Sequence, residues 1–243
     1  MIELFNAALT VNQATMRRLR DAPDVVLRGL TIVLFVGLLV GAVNGASAAI
    51  STSTPERTVD QVRAVVDQQV ESLVLGPNAE EVQPIVRFIN ENEESFYALL
   101  TDLLSLPTPL PRPVMLFFQW LASVVSTPLS YLSGMLLAVT VAHVAARQLG
   151  GQGSIQQMVG LGALSVAPHA LDALAFIPVL GPTLGFIAWA WGLVILVVAT
   201  MIVHRLDSMR ATMAVLLYPL LLILLGTLLF CGLLFLLVAA AAR

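Results

Sequence analysis

Lysine is absent from the 243-residue chain: all 12 basic residues are arginine. That excludes a P-loop lysine, a Schiff-base lysine and a pyridoxal anchor. It leaves the glycine-rich stretch GGQGS, Gly150–Ser154, as a turn rather than a phosphate cradle. Cysteine occurs once, as Cys231 deep in the C-terminal apolar run, so an intrachain disulfide, an iron–sulfur cluster and a thiol pair are excluded. Charge is scarce as well. Only 11% of residues are charged and 58% are hydrophobic, against about 25% and about 45–50% in soluble domains. A chain of that balance is an integral membrane protein. Its net charge of −3 gives no basis for a nucleic-acid partner. Arginine-only, alanine-rich usage points to a GC-rich bacterial genome, hence to a bacterial inner membrane.

What is present is a series of long apolar runs. Residues 1–28 are polar and mildly amphipathic, with Arg17, Arg18, Arg20 and Arg28, and read as a cytoplasmic N-terminal segment. Residues 29–50 carry no charge, and a crossing needs about 20 apolar residues, so this is the first span. The run starts late and exceeds the ~7–15 residues of a signal-peptide core, which favours an uncleaved span. Residues 51–112 hold ten acids against four arginines, a local net charge of −6. Within them Val59, Val62, Val66, Val70 and Leu73 fall at helical spacing, as do Val82, Ile85, Ile89, Phe96, Leu99, Leu100 and Leu103. These predict an acidic, extracytoplasmic insertion of two or three amphipathic helices. LPTPLPRP at 106–113 alternates proline and predicts an extended linker.

Four further runs fill residues 113–243: 122–146, 155–180, 183–203 and 211–242, with a tight turn expected at Gly181–Pro182. The expected fold is all-α, a polytopic membrane protein with five transmembrane helices and an amphipathic helical hairpin between spans one and two. With the N-terminus inside, the short inner segments hold Arg17, Arg18, Arg20, Arg28, Arg147, Arg205 and Arg210, and the short outer ones only Arg243. The positive-inside rule then places the N-terminus in the cytoplasm and the C-terminus outside.

Residues 147–219 carry an ordered pattern: a polar turn with Gly150–Gly153, then Pro168, then IPVLGP, then HRLDSMRA at the end of the fourth run. In that order and spacing the chain resembles the Yip (Ypt/Rab-interacting protein) family of five-span membrane proteins. The resemblance covers about a third of the chain well, and residues 51–112 are an insertion relative to it. It implies a membrane-embedded adaptor or membrane-organising protein without catalysis or cofactor.

The chemical oddity is His169 and Asp172, i and i+3 on one helix face inside the third run. An aspartate at the centre of a span costs roughly 2.5–3.5 kcal/mol on insertion scales, so it asks for a reason. Counted from Ile155, His169 lies about 21 Å along a helix axis, past the midplane. Two readings stand: a proton relay or cation site on a small transporter's path, and a polar staple in which His169 bonds Asp172 or a carbonyl freed by Pro168. The staple is preferred. His143 and His204 fall at the inner ends of their spans, so the three histidines do not converge on a metal. With Arg17, Arg18, Arg20, Arg147, Arg205 and Arg210 they form a basic cytoplasmic rim suited to topology, anionic lipid or an acidic partner. Gly37, Gly41 and Gly45 make a small-residue stripe for helix packing within the fold or in a homo-oligomer. Trp120 and Tyr131 fit interfacial anchoring, and Trp189 and Trp191 packing. Ser165 and His169 on one helix lack a nucleophile elbow, which speaks against a hydrolase. The expected partners are membrane lipid and a membrane or peripheral protein; an accessory role in a larger complex is a third option.

Overall fold

The computed structural model describes residues 2–51, 54–75, 79–106, 110–177 and 180–241. Pro178 of IPVLGP, residues 107–109 of the proline-rich segment, and Arg243 lie outside the described residues. The regular structure among them is helical throughout. Two short helices, α1 (Ile2–Leu9) and α2 (Gln13–Arg20), lead into α3 (Val25–Ser51). Then come α4 (Pro55–Val74), α5 (Ala79–Ser105), α6 (Arg112–Gln148) and α7 (Ile155–Gly162). A 3-10 helix (Ala163–Leu174), α8 (Leu180–His204) and α9 (Ser208–Ala241) complete the order. Among the described residues four helices are long and apolar enough to cross a membrane: α3, α6, α8 and Ser208–Leu233 of α9. The chain divides into two compact units, residues 1–44 with 123–243, and residues 45–122.

The third apolar run departs from the single regular span expected over 155–180. It is 8 residues of α-helix, then 12 residues of 3-10 helix, then a turn from Ala175. Runs of 3-10 helix beyond 3–4 residues are uncommon, and Pro168 supplies the cause. It has no N–H to donate, and its ring obstructs the carbonyl four residues back. The winding tightens to i, i+3, and even there the Ser165 carbonyl is deprived of its Pro168 donor. α8 crosses at that point through Gly192, where a Cβ would stand 2.7 Å from the Ser165 oxygen. The broken segment is the centre of the larger unit. Met158, Leu161 and Leu164 are fully buried, packed among Ile32 and Val36 of α3, Val139 of α6 and Ile195 of α8.

Two smaller expectations also change. Gly181 and Pro182 do not form a turn between spans; they lie in the first turn of α8. Proline is tolerated there because its missing N–H would have had no partner in the helix anyway. Arg112 and Pro113, read as linker, already belong to α6. α9 packs its first turns, with Ala211, Ala214 and Val215 buried, and from Leu222 to Leu233 it faces outward.

Gly37 and Gly41 put α3 against α6. A Cβ on Gly37 would collide with Pro128, and one on Gly41 would lie 2.6 Å from the Ser123 carbonyl oxygen. The Ser123 hydroxyl donates to the Gly41 carbonyl at 3.1 Å. Gly45 is buried on the same helix. At the N-terminus, Asn12 caps α2 by accepting from the Thr15 N–H at 3.2 Å. Ala7, Ala8, Met16 and Leu19 are buried, and Phe5 meets Phe35 edge to face at 6.2 Å. The N-terminal segment is therefore packed on the bundle.

In the smaller unit α4 and α5 pack together. Val59, Val86 and Tyr97 are buried. Arg63 ties the two helices, pairing with Glu93 at 3.6 Å and stacking 4.6 Å over the Tyr97 ring. Phe96, Leu99 and Leu103, grouped by spacing with Leu100, stay exposed instead. Among the described residues α5 packs chiefly on α4, and one neighbour covers one face.

Candidate functional site

The carboxylate of Asp172 gathers the polar groups of the third segment. The Tyr131 hydroxyl of α6 donates to its Oδ2 at 2.6 Å, and His169 Nδ1 lies 2.8 Å from the same oxygen. A carboxylate only accepts, so His169 carries its proton on Nδ1. The Asn44 amide of α3 donates to the Asp172 backbone carbonyl at 2.9 Å, serving a residue at the ragged end of the 3-10 helix. Three elements thus meet on one residue. His169 does not reach a carbonyl freed by Pro168; Asp172 takes its N–H. Tyr131, expected as an interfacial anchor, is drawn inward by the same carboxylate.

Beyond His169 lies a cavity of about 210 Å³, lined by Tyr131, Ser165, His169, Trp189, Gly192 and Tyr218 among others. His169 lines that cavity, and its Nε2 makes no hydrogen bond among the described residues. Ser165 is not an activated nucleophile there, because its hydroxyl already donates to the Gly162 carbonyl at 2.7 Å. Asp172 does not line the cavity. The geometry is that of a closed hydrogen-bonded knot with one ring nitrogen left open.

The rim residues fall into separate groups. α6 ends at a left-handed Gly150, φ +93, with the Gly151 N–H donating to Ala146 O at 2.8 Å. This turn brings the Gly153 N–H to Nδ1 of the fully buried His204 at 3.2 Å. Nδ1 accepts, so the His204 proton sits on Nε2 and is donated to His143 Nδ1 at 3.1 Å. Two histidines thus form a directed neutral pair across 61 residues of sequence. His169 is in the other knot, and among the described residues no three His, Cys, Asp or Glu side chains assemble as metal ligands. Arg210 pairs with Asp207 at 3.3 Å, while Arg18 and Arg147 are exposed on their helices. Trp191, exposed, donates its indole N–H to the Leu9 carbonyl at 3.0 Å.

Arg17, Arg20 and Arg205 do come together, beside a cleft between α2 and the end of α8. Arg20 donates to the Ile202 carbonyl at 3.1 Å and clasps both oxygens of Asp21 at 2.8 and 2.9 Å. That clasp holds the Asp21 carboxyl below the ordinary carboxylate range, with the Arg205 charge adding to it. A lowered carboxyl keeps its bond at neutral pH and loses it only as pH falls through the lowered value. We expect a carbon-detected titration of Asp21 to show a midpoint below that of a free aspartate. Arg20→Gln should move it back up, and an unmoved midpoint would contradict the clasp.

Sequence reading missed Asn44 and Tyr131 as partners of Asp172. The available signal was Asn44 itself, the one amide side chain in the uncharged run 29–50. Against known proteins, residues 7–230 match the family model of the Yip1 domain. No curated protein and no solved structure matches the chain.

Proposed function

The chain belongs to the Yip1 domain family, and we propose that it acts as a non-enzymatic, multi-pass adaptor or membrane-organising protein of a bacterial inner membrane. One observation carries the adaptor reading. α5 holds Phe88, Phe96, Leu99 and Leu103 at 67%, 51%, 59% and 55% exposure. At 100° per residue all four fall within roughly 80° of one another on the helix surface. An apolar stripe of that length on an otherwise acidic unit suits a partner helix. The two polar knots support the non-enzymatic reading, since their groups are bonded to one another.

In this reading the chain crosses five times. The broken third segment is the fifth crossing: 8 residues at 1.5 Å and 12 at 2.0 Å span roughly 36 Å, against about 30 Å of hydrocarbon. The N-terminus and the arginine rim are cytoplasmic, and α4 and α5 form an acidic hairpin outside. The carboxylate of Asp172 is a staple rather than a step on a solute path.

Two measurements test this. In a Cys231→Ser background, single cysteines at Asp67 and at Arg147 should label from opposite sides of sealed vesicles; labelling from one side removes the topology. A photo-crosslinker at Leu99 in growing cells should capture a discrete protein. Capture of lipid alone would remove the adaptor.

A further inference from the structure

The cleft beside α2 has a built chemistry that the adaptor reading does not use. It encloses about 350 Å³. Three arginines, Arg17, Arg20 and Arg205, stand around a floor of Val198, Met201 and Leu206. They come from positions about 190 residues apart, joined because Arg20 donates to the Ile202 carbonyl at the end of α8. Arg20 is held in place by that bond and by Asp21, which together use three of its five N–H donors, so its charge is fixed at the cleft. Arg17 makes one long bond, 3.3 Å, to Gln13. Arg205 sits just past α8 with a left-handed backbone, φ +54, and has no hydrogen bond or ion pair among the described residues. The Arg205 guanidinium and the remaining donors of Arg17 can thus reach a ligand, with a third charge behind them and one aspartate to offset it.

The floor identifies the ligand. Val198 lies six residues inside the end of α8, about 9 Å into the span. A soluble anion has no use for that surface. A phospholipid does: its phosphate suits paired guanidinium forks, and its glycerol and upper acyl carbons suit the valine, methionine and leucine below. We propose that this cleft is a binding site for the phosphodiester headgroup of an anionic phospholipid. The site rests on the reading of the chain as a membrane protein and not on any protein partner.

The test uses the full chain, stripped of lipid in mild detergent and examined by native mass spectrometry with phosphatidylglycerol or phosphatidylcholine. Two arginines within reach of the headgroup should give at least roughly tenfold preference for the anionic lipid. The Arg17→Gln/Arg205→Gln variant should lose that preference. Arg210→Gln, which removes a rim charge outside the cleft, should keep it. Equal binding of the two lipids by the unmodified chain would overturn the site without any variant. So would an unchanged preference in the double variant, or displacement of phosphatidylglycerol by millimolar inorganic phosphate, which would assign the arginines to a soluble anion. Lipid preference without a captured partner at Leu99 would keep this site and remove the adaptor; the reverse result would do the opposite.

Discussion

Gly29→Leu is expected to be the most damaging single substitution in the bundle. α3 crosses α7 where Gly29 meets Gly160, and a Cβ on Gly29 would collide with the Gly160 carbonyl oxygen. Its next neighbours would be Gly160 Cα at 2.9 Å and the Ala163 methyl at 3.0 Å. Gly160 is hemmed in from the other side, with the Val25 carbonyl oxygen 2.6 Å from where its own Cβ would be. Overpacking a core that relaxes by moving side chains costs about 1–3 kcal/mol. Here the obstacles are main chain on both helices, so relief requires separating α3 from the most buried segment of the chain. The loss should reach or pass the upper end of that range. Gly29→Ala should follow the same direction with a smaller loss. Gly226→Leu is the control: nothing lies within 4 Å of a Cβ there. Thermal unfolding in detergent, followed by light scattering, should rank Gly29→Leu well below Gly29→Ala, and Gly226→Leu level with the unmodified chain. A Gly29→Leu protein that melts normally would mean that the crossing does not exist.

That crossing was not visible in the sequence, and the reason is instructive. The Gly37, Gly41 and Gly45 stripe repeats every four residues, so periodicity finds it. Gly29 lies outside it and faces a different helix. A glycine matters for what passes above it, and sequence spacing within one helix does not reveal the neighbour. The long runs were legible because burial in lipid needs only length and apolarity: 29–50 became Val25–Ser51, and 183–203 became Leu180–His204. The third run was legible as apolar but not as 3-10, since apolarity along a run does not set its winding. Pro168 marked the break, yet the depth of the distortion depends on α8 closing over Ser165 through Gly192. The histidines follow the same rule. His143 and His204 were each placed at an inner helix end, and their bond is a tertiary fact. Tyr131 was read by its tendency to sit at interfaces, and a half-buried carboxylate outweighed that tendency.

The knot around Asp172 makes the second large prediction. Hydrogen bonds between membrane helices average about 0.6 kcal/mol and reach about 1.7, because the separated helices find other partners. Asp172 should lie at the upper end. Its one oxygen accepts from Tyr131 at 2.6 Å and His169 at 2.8 Å, and its backbone oxygen accepts from Asn44. Asp172→Ala removes the acceptor and strands two donors that are partly withdrawn from water, at about 1–3 kcal/mol for each group left unsatisfied. Tyr131→Phe removes one donor and leaves the carboxylate its histidine, so it should cost about 1 kcal/mol. Asp172→Asn keeps one acceptor oxygen and should fall between them. The double-mutant cycle then separates a direct bond from a general loosening. If the hydroxyl acts through Asp172, Tyr131→Phe should cost almost nothing once Asp172 is alanine. Additive losses would show that the 2.6 Å contact contributes nothing to stability. The same variants decide between staple and relay. A staple loses unfolding stability and leaves proton and cation flux in proteoliposomes where it was. A relay shows flux in the unmodified chain that Asp172→Asn abolishes at unchanged fold. Because Asp172 does not line the cavity that His169 and Tyr131 line, and its carboxylate bonds both of them, the loss should appear in stability.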